Sequence, residues 1–191
     1  VRKYPLKATG ASGLFSKERL DKATALLLEN CQVEGCSNIL DLGCGWGPII
    51  LSLATYPQVF GLANDCDIIG VDSNSRAVTY AKKNLRAHSS KRPKVYAPLT
   101  TYVRQSDIFS KIPDKLFDAI LSNPPYAAGR KICFSFIEES KEHLHKGGTL
   151  QLVARHNKGG KTLSLHMEEV FGNVETLAKQ GGFRVYKSIL E

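Results

Sequence analysis

No apolar run in this 191-residue chain approaches the length needed to cross a membrane, and its start shows no secretory signal pattern. Both absences point to a cytoplasmic protein. Cysteine is scarce and odd in number: Cys31, Cys36, Cys44, Cys66 and Cys133 form no C-x-x-C pair. They are read as reduced, partly buried thiols. His143 and His145 have no cysteine or carboxylate constellation around them, so no metal is expected, and they are taken to cap a helix end. There is no internal repeat, linker or low-complexity tract. Residues 1–191 are therefore expected to form one domain, with 1–12 as an extended lead-in. Acidic residues are outnumbered, 18 Asp and Glu against 26 Lys and Arg, for a formal net charge of +8. That excess suits a polyanionic partner such as RNA, or a basic surface kept for solubility.

What the chain does have is an alternation of strand-like and helix-like segments. Ser16, with Glu18 after it, is a candidate N-cap for a helix carrying Leu20, Ala23, Leu26 and Leu27 and ending near Asn30. A strand is predicted at 38–42, a helix at 48–55, and a polar loop at 56–67 with a turn near Asn64-Asp65. The second strand, 68–71, ends at Asp72, and a helix over 75–87 follows. Lys91, Arg92 and Lys94 mark a basic loop. Further strands are predicted at 102–105, 117–121 and 149–154. One helix carries Ile132, Phe136, Ile137 and Leu144 and stops at Gly147-Gly148; another carries Leu163, Met167, Val170 and Phe171. The segments around Gly181-Gly182 are read as a closing hairpin. The pattern predicts an α/β fold: a mostly parallel sheet with helices on both faces and one antiparallel hairpin.

Ligands of such sheets sit at the carboxyl ends of the strands, and four polar signatures fall there. Asp41-Leu42-Gly43-Cys44-Gly45-Trp46-Gly47-Pro48 is strand, glycine turn, helix start. Asp41 either orients the turn or reaches an amino group of the ligand through water, and Trp46 either packs in the core or touches the ligand. Asp72, followed by Ser73, can accept from both ribose hydroxyls of an adenosine or cap the next helix. Asp107 follows the third strand, beside Ile108, and either contacts the ligand or serves a loop turn. Asn123-Pro124-Pro125-Tyr126 is a rigid turn in which neither proline offers an N–H. The Asn123 side-chain oxygen and the Pro124 carbonyl could accept both N–H groups of a planar amine, orienting it and stabilising the positive charge it develops on attacking a methyl donor. No base of altered pKa is needed before attack. Tyr126 would stack on the planar target or lie on the surface as a plain aromatic. Arg130 and Lys131, with Arg155, Lys158 and Lys161 on the same rim, could take phosphates flanking a target nucleotide. Gly159-Gly160 would make that loop mobile.

Asp-Leu-Gly-Cys-Gly-Trp-Gly, Gly-Val-Asp-Ser-Asn and Ser-Asn-Pro-Pro-Tyr together resemble the amino-directed class I methyltransferases that use S-adenosylmethionine (SAM). Gly13-Leu14-Phe15-Ser16 with Leu20-Asp21, and the ending Gly181-Gly182-Phe183-Arg184-Val185, narrow the likeness to the "methyltransferase small" family, which includes rRNA guanine-N2 methyltransferases, and to its short archaeal-type members. The resemblance implies a Rossmann-like, seven-stranded fold and SAM as cofactor, with S-adenosylhomocysteine as product. It implies cofactor contacts from Phe15, Ser16, Asp41, Gly43, Cys44, Gly45, Gly47, Asp72, Ser73, Asp107, Ile108 and Asn123, and catalytic roles for Asn123, Pro124 and Tyr126. Bacterial rRNA members often carry Phe where this chain has Tyr126, and a second, degenerate domain copy at the N-terminus, whereas a single copy is expected here. The expected function is methylation of an exocyclic amine in RNA, guanine N2 of rRNA foremost. Adenine N6, a protein glutamine, or a non-catalytic SAM-fold scaffold are the alternatives.

Overall fold

The computed structural model describes residues 20–89 and 99–191. Phe15, Ser16, Lys91, Arg92 and Lys94 lie outside these residues. Seven strands form one sheet in the order β3-β2-β1-β4-β5-β7-β6. They are β1 (Asn38–Leu42), β2 (Asp67–Asp72), β3 (Thr100–Gln105), β4 (Phe117–Ser122), β5 (Leu144–Arg155), β6 (Glu175–Gln180) and β7 (Phe183–Ile189). The first five run parallel, and β7 pairs antiparallel with both β5 and β6. The expected fold class, hairpin included, is the observed one.

Strand side chains alternate between faces, and the alternation sorts the core into two layers. Ile39, Ile68, Val103, Leu121, Val153 and Val185 face one helical layer: α1 (Lys22–Asn30), α2 (Pro48–Thr55) and α4 (Ser75–Ser89). Leu40, Ile69, Ile120, Leu152 and Tyr186 face the other: α5 (Arg130–Glu142) and α6 (Gly160–Phe171). The same two-residue period puts Asp41 and Asn123 on the α1–α2 side. Strand order reverses between β1 and β4, so the glycine turn after β1 and the Asn-Pro-Pro turn after β4 flank the switch point, where open parallel sheets bind ligands.

Four expectations are corrected. The first helix begins at Lys22, not after Ser16. Its cap is Asp21, whose Oδ1 accepts from the N–H groups of Ala23 and Thr24 at 3.0 Å each. The 56–67 loop contains a one-turn helix, α3 (Pro57–Phe60), which buries Phe60, and the expected turn at Asn64-Asp65 is present. Helix α5 ends at Glu142. His143 caps it as expected, whereas Leu144, His145, Gly147 and Gly148 belong to β5. Ile132 is exposed, and Cys133 takes the buried position instead.

Helix α1 is held onto the sheet at its C-terminal end by Gln151 of β5. The fully buried side-chain amide accepts from the Gln32 N–H at 2.8 Å and donates to the Gln32 carbonyl at 2.7 Å. Two backbone bonds from one side chain contribute on the order of 2 kcal/mol. Gln151→Leu is therefore expected to lower the unfolding free energy by about that much, measured as a shift in urea midpoint at unchanged slope.

Candidate active site

The glycine turn is built by backbone bonds. Gly43, Gly45 and Gly47 sit at φ 73°, 56° and 89°, the left-handed region that side chains resist. The Val71 carbonyl at the end of β2 accepts from both the Gly43 and Cys44 N–H groups at 2.9 Å. Gly45 N–H donates to Asp72 Oδ2 at 2.9 Å, and Gly47 N–H to the Cys44 carbonyl at 2.8 Å. Pro48 has no N–H, and Ile50 N–H goes to Asp41 Oδ2 at 3.0 Å. A phosphate cradle needs such donors free. Here the Gly43, Cys44, Gly45 and Gly47 amides are already bonded within the protein, so the turn is less suited to a phosphate than to a ligand without one. It does offer room: a Cβ at residue 45 would meet nothing within 4 Å.

Each singled-out side chain has a definite place. Asp72 is half-buried, and its Oδ1 accepts from Asn74 N–H at 2.8 Å. The cap of α4 is Asn74, whose Oδ1 accepts from Arg76 N–H at 2.9 Å; neither Asp72 nor Ser73 does that job. Each carboxylate oxygen of Asp72 thus spends one lone pair on backbone and keeps another. Ser73 is exposed, its carbonyl accepting from Gln105 Nε2 at 3.0 Å. Cys44 is turned into the core, where its Cβ and Sγ would lie 3.3 Å from a Cβ built on Gly70. It has no side chain to give a ligand. Trp46 is also core, its carbonyl held by Asn84 Nδ2 at 3.1 Å. Asp107 is exposed at the end of β3, next to Ser106, whose N–H donates to the Asp72 carbonyl at 3.0 Å. Ile108 follows at φ 47°, an unusual conformation for a β-branched residue and a place where strain is stored.

Asp41 is fully buried, and its Oδ1 has no hydrogen-bond partner among the described residues. Burial raises its pKa from 3.8 to about 7; the Ile50 N–H opposes the rise and the Asp72 charge adds to it. A buried carboxylate oxygen left unmatched beside the turn is ready to take a ligand's ammonium.

Asn123 follows β4 directly. Ser122 Oγ donates to the Leu42 carbonyl at 2.8 Å, fastening the end of β4 to the start of the glycine turn. The Asn123 Nδ2 group donates to Thr24 Oγ1 at 3.0 Å. The Pro124 carbonyl is not wholly free, because it accepts from Tyr126 N–H at 2.9 Å across Pro125 at φ −78°, ψ 78°, an inverse γ-turn. One lone pair remains. Tyr126 is no loose surface aromatic. It is half-buried against the α5–α6 layer, its hydroxyl is enclosed without a partner among the described residues, and burial pushes its pKa above the ordinary range. A Cβ on Gly159 would collide with its ring. Gly159 and Gly160 open α6 in close packing, so the mobility expected of that pair is not what places glycine there.

Arg130, Lys131, Arg155, Lys158 and Lys161 are all exposed. Two cations on the hairpin were not read from the sequence. Lys179 and Arg184 face each other across β6 and β7. Together with Lys161 they reinforce the lowering, by burial first, of the His156 pKa. Their signal was weak because only the hairpin register carries them to this rim. Thr24 was missed for a similar reason, being an ordinary helix residue until β4 meets it. Among the described residues no cluster of His, Cys, Asp or Glu is arranged to hold a metal, and no helix is long and apolar enough to cross a membrane.

The sequence matches the model of the methyltransferase small domain over residues 5–187. The chain belongs to that family. It is an S-adenosylmethionine-dependent methyltransferase. It is 36% identical to the uncharacterized protein YbxB of Bacillus subtilis, over 98% of this chain and 88% of that one. It is 38% identical to the ribosomal RNA small subunit methyltransferase C of Shewanella amazonensis, over 91% of this chain and 46% of the relative. A T. thermophilus 16S rRNA N2 methyltransferase, solved with AdoMet and guanosine, superposes with a TM-score of 0.73 at 27% identity, covering 94% of this chain and 46% of that one. The chain thus spans about half the length of these methyltransferases, but most of the Bacillus protein. The residues fit SAM: a roomy turn whose glycine amides are already bonded within the protein, the remaining lone pairs of Asp72, and the unmatched oxygen of Asp41.

Because the raised Asp41 pKa keeps a proton that the unfolded chain has lost, the stability it lends is complete below about pH 4 and is lost as pH rises through about 7. Asp41→Asn removes that loss. Thermal melts without cofactor are expected to show the variant gaining on the wild type from pH 4 to 7 and holding a constant margin above it. A margin independent of pH would mean that Asp41 is charged throughout.

Proposed function

We propose that this methyltransferase modifies an exocyclic amine of a base in ribosomal RNA, guanine N2 foremost, in the cytoplasm. The observation that carries the reading is the Asn123-Pro124-Pro125-Tyr126 turn bonded, through Ser122, to the edge of the glycine turn. The names of the relatives and of the structural neighbour support the choice of rRNA and N2.

SAM, when bound, supplies an electrophilic methyl group and leaves as S-adenosylhomocysteine. Phe15, Ser16, Gly43, Gly45, Gly47, Asp72, Ser73, Asp107 and Ile108 are the residues proposed to hold it, with Asp41 for its amino group. The work of this chain at the acceptor is orientation. A base amine is planar, its lone pair delocalised into the ring. Asn123 Oδ1 and the remaining lone pair of the Pro124 carbonyl accept its two N–H bonds, which turns the nitrogen toward the donor and stabilises positive charge as it develops. Tyr126 presents an aromatic surface to the base. The cationic rim of Arg130, Lys131, Arg155, Lys158 and Lys161, extended by Lys179 and Arg184, grips the flanking phosphates without selecting sequence.

Transfer of tritium from labelled SAM to rRNA, with nucleoside analysis of the product, tests the reading. Labelled N2-methylguanosine is expected; labelled N6-methyladenosine, or label in protein glutamine alone, would overturn the choice of acceptor. Asn123→Ala is expected to retain SAM affinity by calorimetry and to lose transfer by on the order of 10²-fold or more. Asp72→Ala is expected to weaken SAM binding first.

A further inference from the structure

A carboxamide has nearly the same shape when rotated by half a turn, but not the same chemistry. With oxygen toward the amine, Asn123 accepts an N–H. With nitrogen toward it, two donors collide and the amine is turned away. A residue that acts through its amide oxygen therefore needs something that decides which end faces the substrate.

Asp21 and Thr24 on α1 supply that decision. Asp21 Oδ2 accepts from Thr24 Oγ1 at 2.6 Å, and Thr24 Oγ1 accepts from Asn123 Nδ2 at 3.0 Å. Asp21 Oδ1 lies 3.4 Å from the same nitrogen. The polarity of this chain follows from its far end. A carboxylate cannot donate, so the hydroxyl of Thr24 must, and its one proton is then spent. Its remaining lone pairs can only accept, and only the NH2 end of Asn123 can donate to them. The amide oxygen is forced to the side away from α1. The anchor is firm. Asp21 is fixed by two helix-cap bonds, Thr24 is buried, and α1 is clamped to the sheet by Gln151.

We propose that Asp21 and Thr24 are positioning residues, which set the direction of the Asn123 carboxamide for methyl transfer without touching cofactor or base. This rests on the reading of Asn123 as the residue that holds the amine.

Thr24→Val keeps the shape and burial of the side chain and removes the hydroxyl, whereas Thr24→Ser keeps the hydroxyl. In the full chain acting on rRNA, Thr24→Val is expected to lower kcat by about 10- to 100-fold. SAM affinity by calorimetry and KM for RNA should stay within about twofold. Thr24→Ser is expected to recover most of the rate. Asp21→Asn keeps the helix cap but can donate as well as accept, so it frees the direction of the chain; it too is expected to lower kcat with SAM affinity held. Asn123→Ala is run beside them. If Asn123→Ala loses transfer while Thr24→Val turns over like the wild type, the positioning role is wrong and the reading of Asn123 survives. If Thr24→Val and Thr24→Ser fall together, or if SAM affinity falls in step with kcat, the residue is structural and the proposal fails. If Asn123→Ala itself keeps wild-type transfer, the underlying reading fails first.

Discussion

One backbone carbonyl anchors the site. Val71, the penultimate residue of β2, accepts from two successive N–H groups of the neighbouring turn. That pair of hydrogen bonds to one oxygen forces the chain leaving β1 to fold sharply back over the carboxyl ends of the strands rather than run on. Everything polar nearby is arranged around this fold-back. The next amide reaches the carboxylate one residue beyond Val71, and α2 starts above it with its first turn partly satisfied by Asp41. β4 is sewn on through Ser122. Without the parallel pairing of β1 to β2 on one side and β4 on the other, these groups would belong to three separate loops.

Most of this could be read from local pattern. β1 and α2 have the bounds that the apolar run and the glycine-proline punctuation predict, because both signals are carried by adjacent residues. The hairpin around Gly181-Gly182 was also expected, although its strands run further than the local pattern gives, to Gln180 and Ile189. What failed depended on partners far along the chain. Gly147 and Gly148 look like a helix stop followed by a fresh strand. In the fold Gly147 N–H donates to the Leu190 carbonyl and the Gly148 carbonyl accepts from Leu190 N–H, so the strand continues through an irregular stretch stitched to the C-terminal segment. The phase of α5 follows Cys133, Phe136, Ile137 and Ser140, a face defined by α6 and the sheet, which leaves Ile132 in solvent.

The site was legible in its residue types and less so in its bonding. Asp72 and Asn123 were identifiable because a polar residue at the end of a buried strand needs a reason to be there. That the Gly43, Cys44 and Gly45 amides would be taken up inside the protein was not visible in the letters, since it depends on the Val71 carbonyl and the Asp72 carboxylate arriving from another strand. Nor could the sequence reveal that Asn123 leans on a helix a hundred positions earlier. Residue spacing encodes faces and turns; it does not encode which oxygen a given hydrogen will find.

The contact between Gly159 and the ring of Tyr126 joins two parts that would otherwise be independent. One belongs to the β5–α6 junction, where Arg155, Lys158 and Lys161 lie, the other to the turn beside the switch point. With no atom's width between them, the junction cannot settle toward the sheet without pressing on the ring, and the ring cannot swing outward without lifting the junction. Displacing the segment that bears these cations therefore presses on the aromatic side chain, and rim and turn become two ends of a single lever.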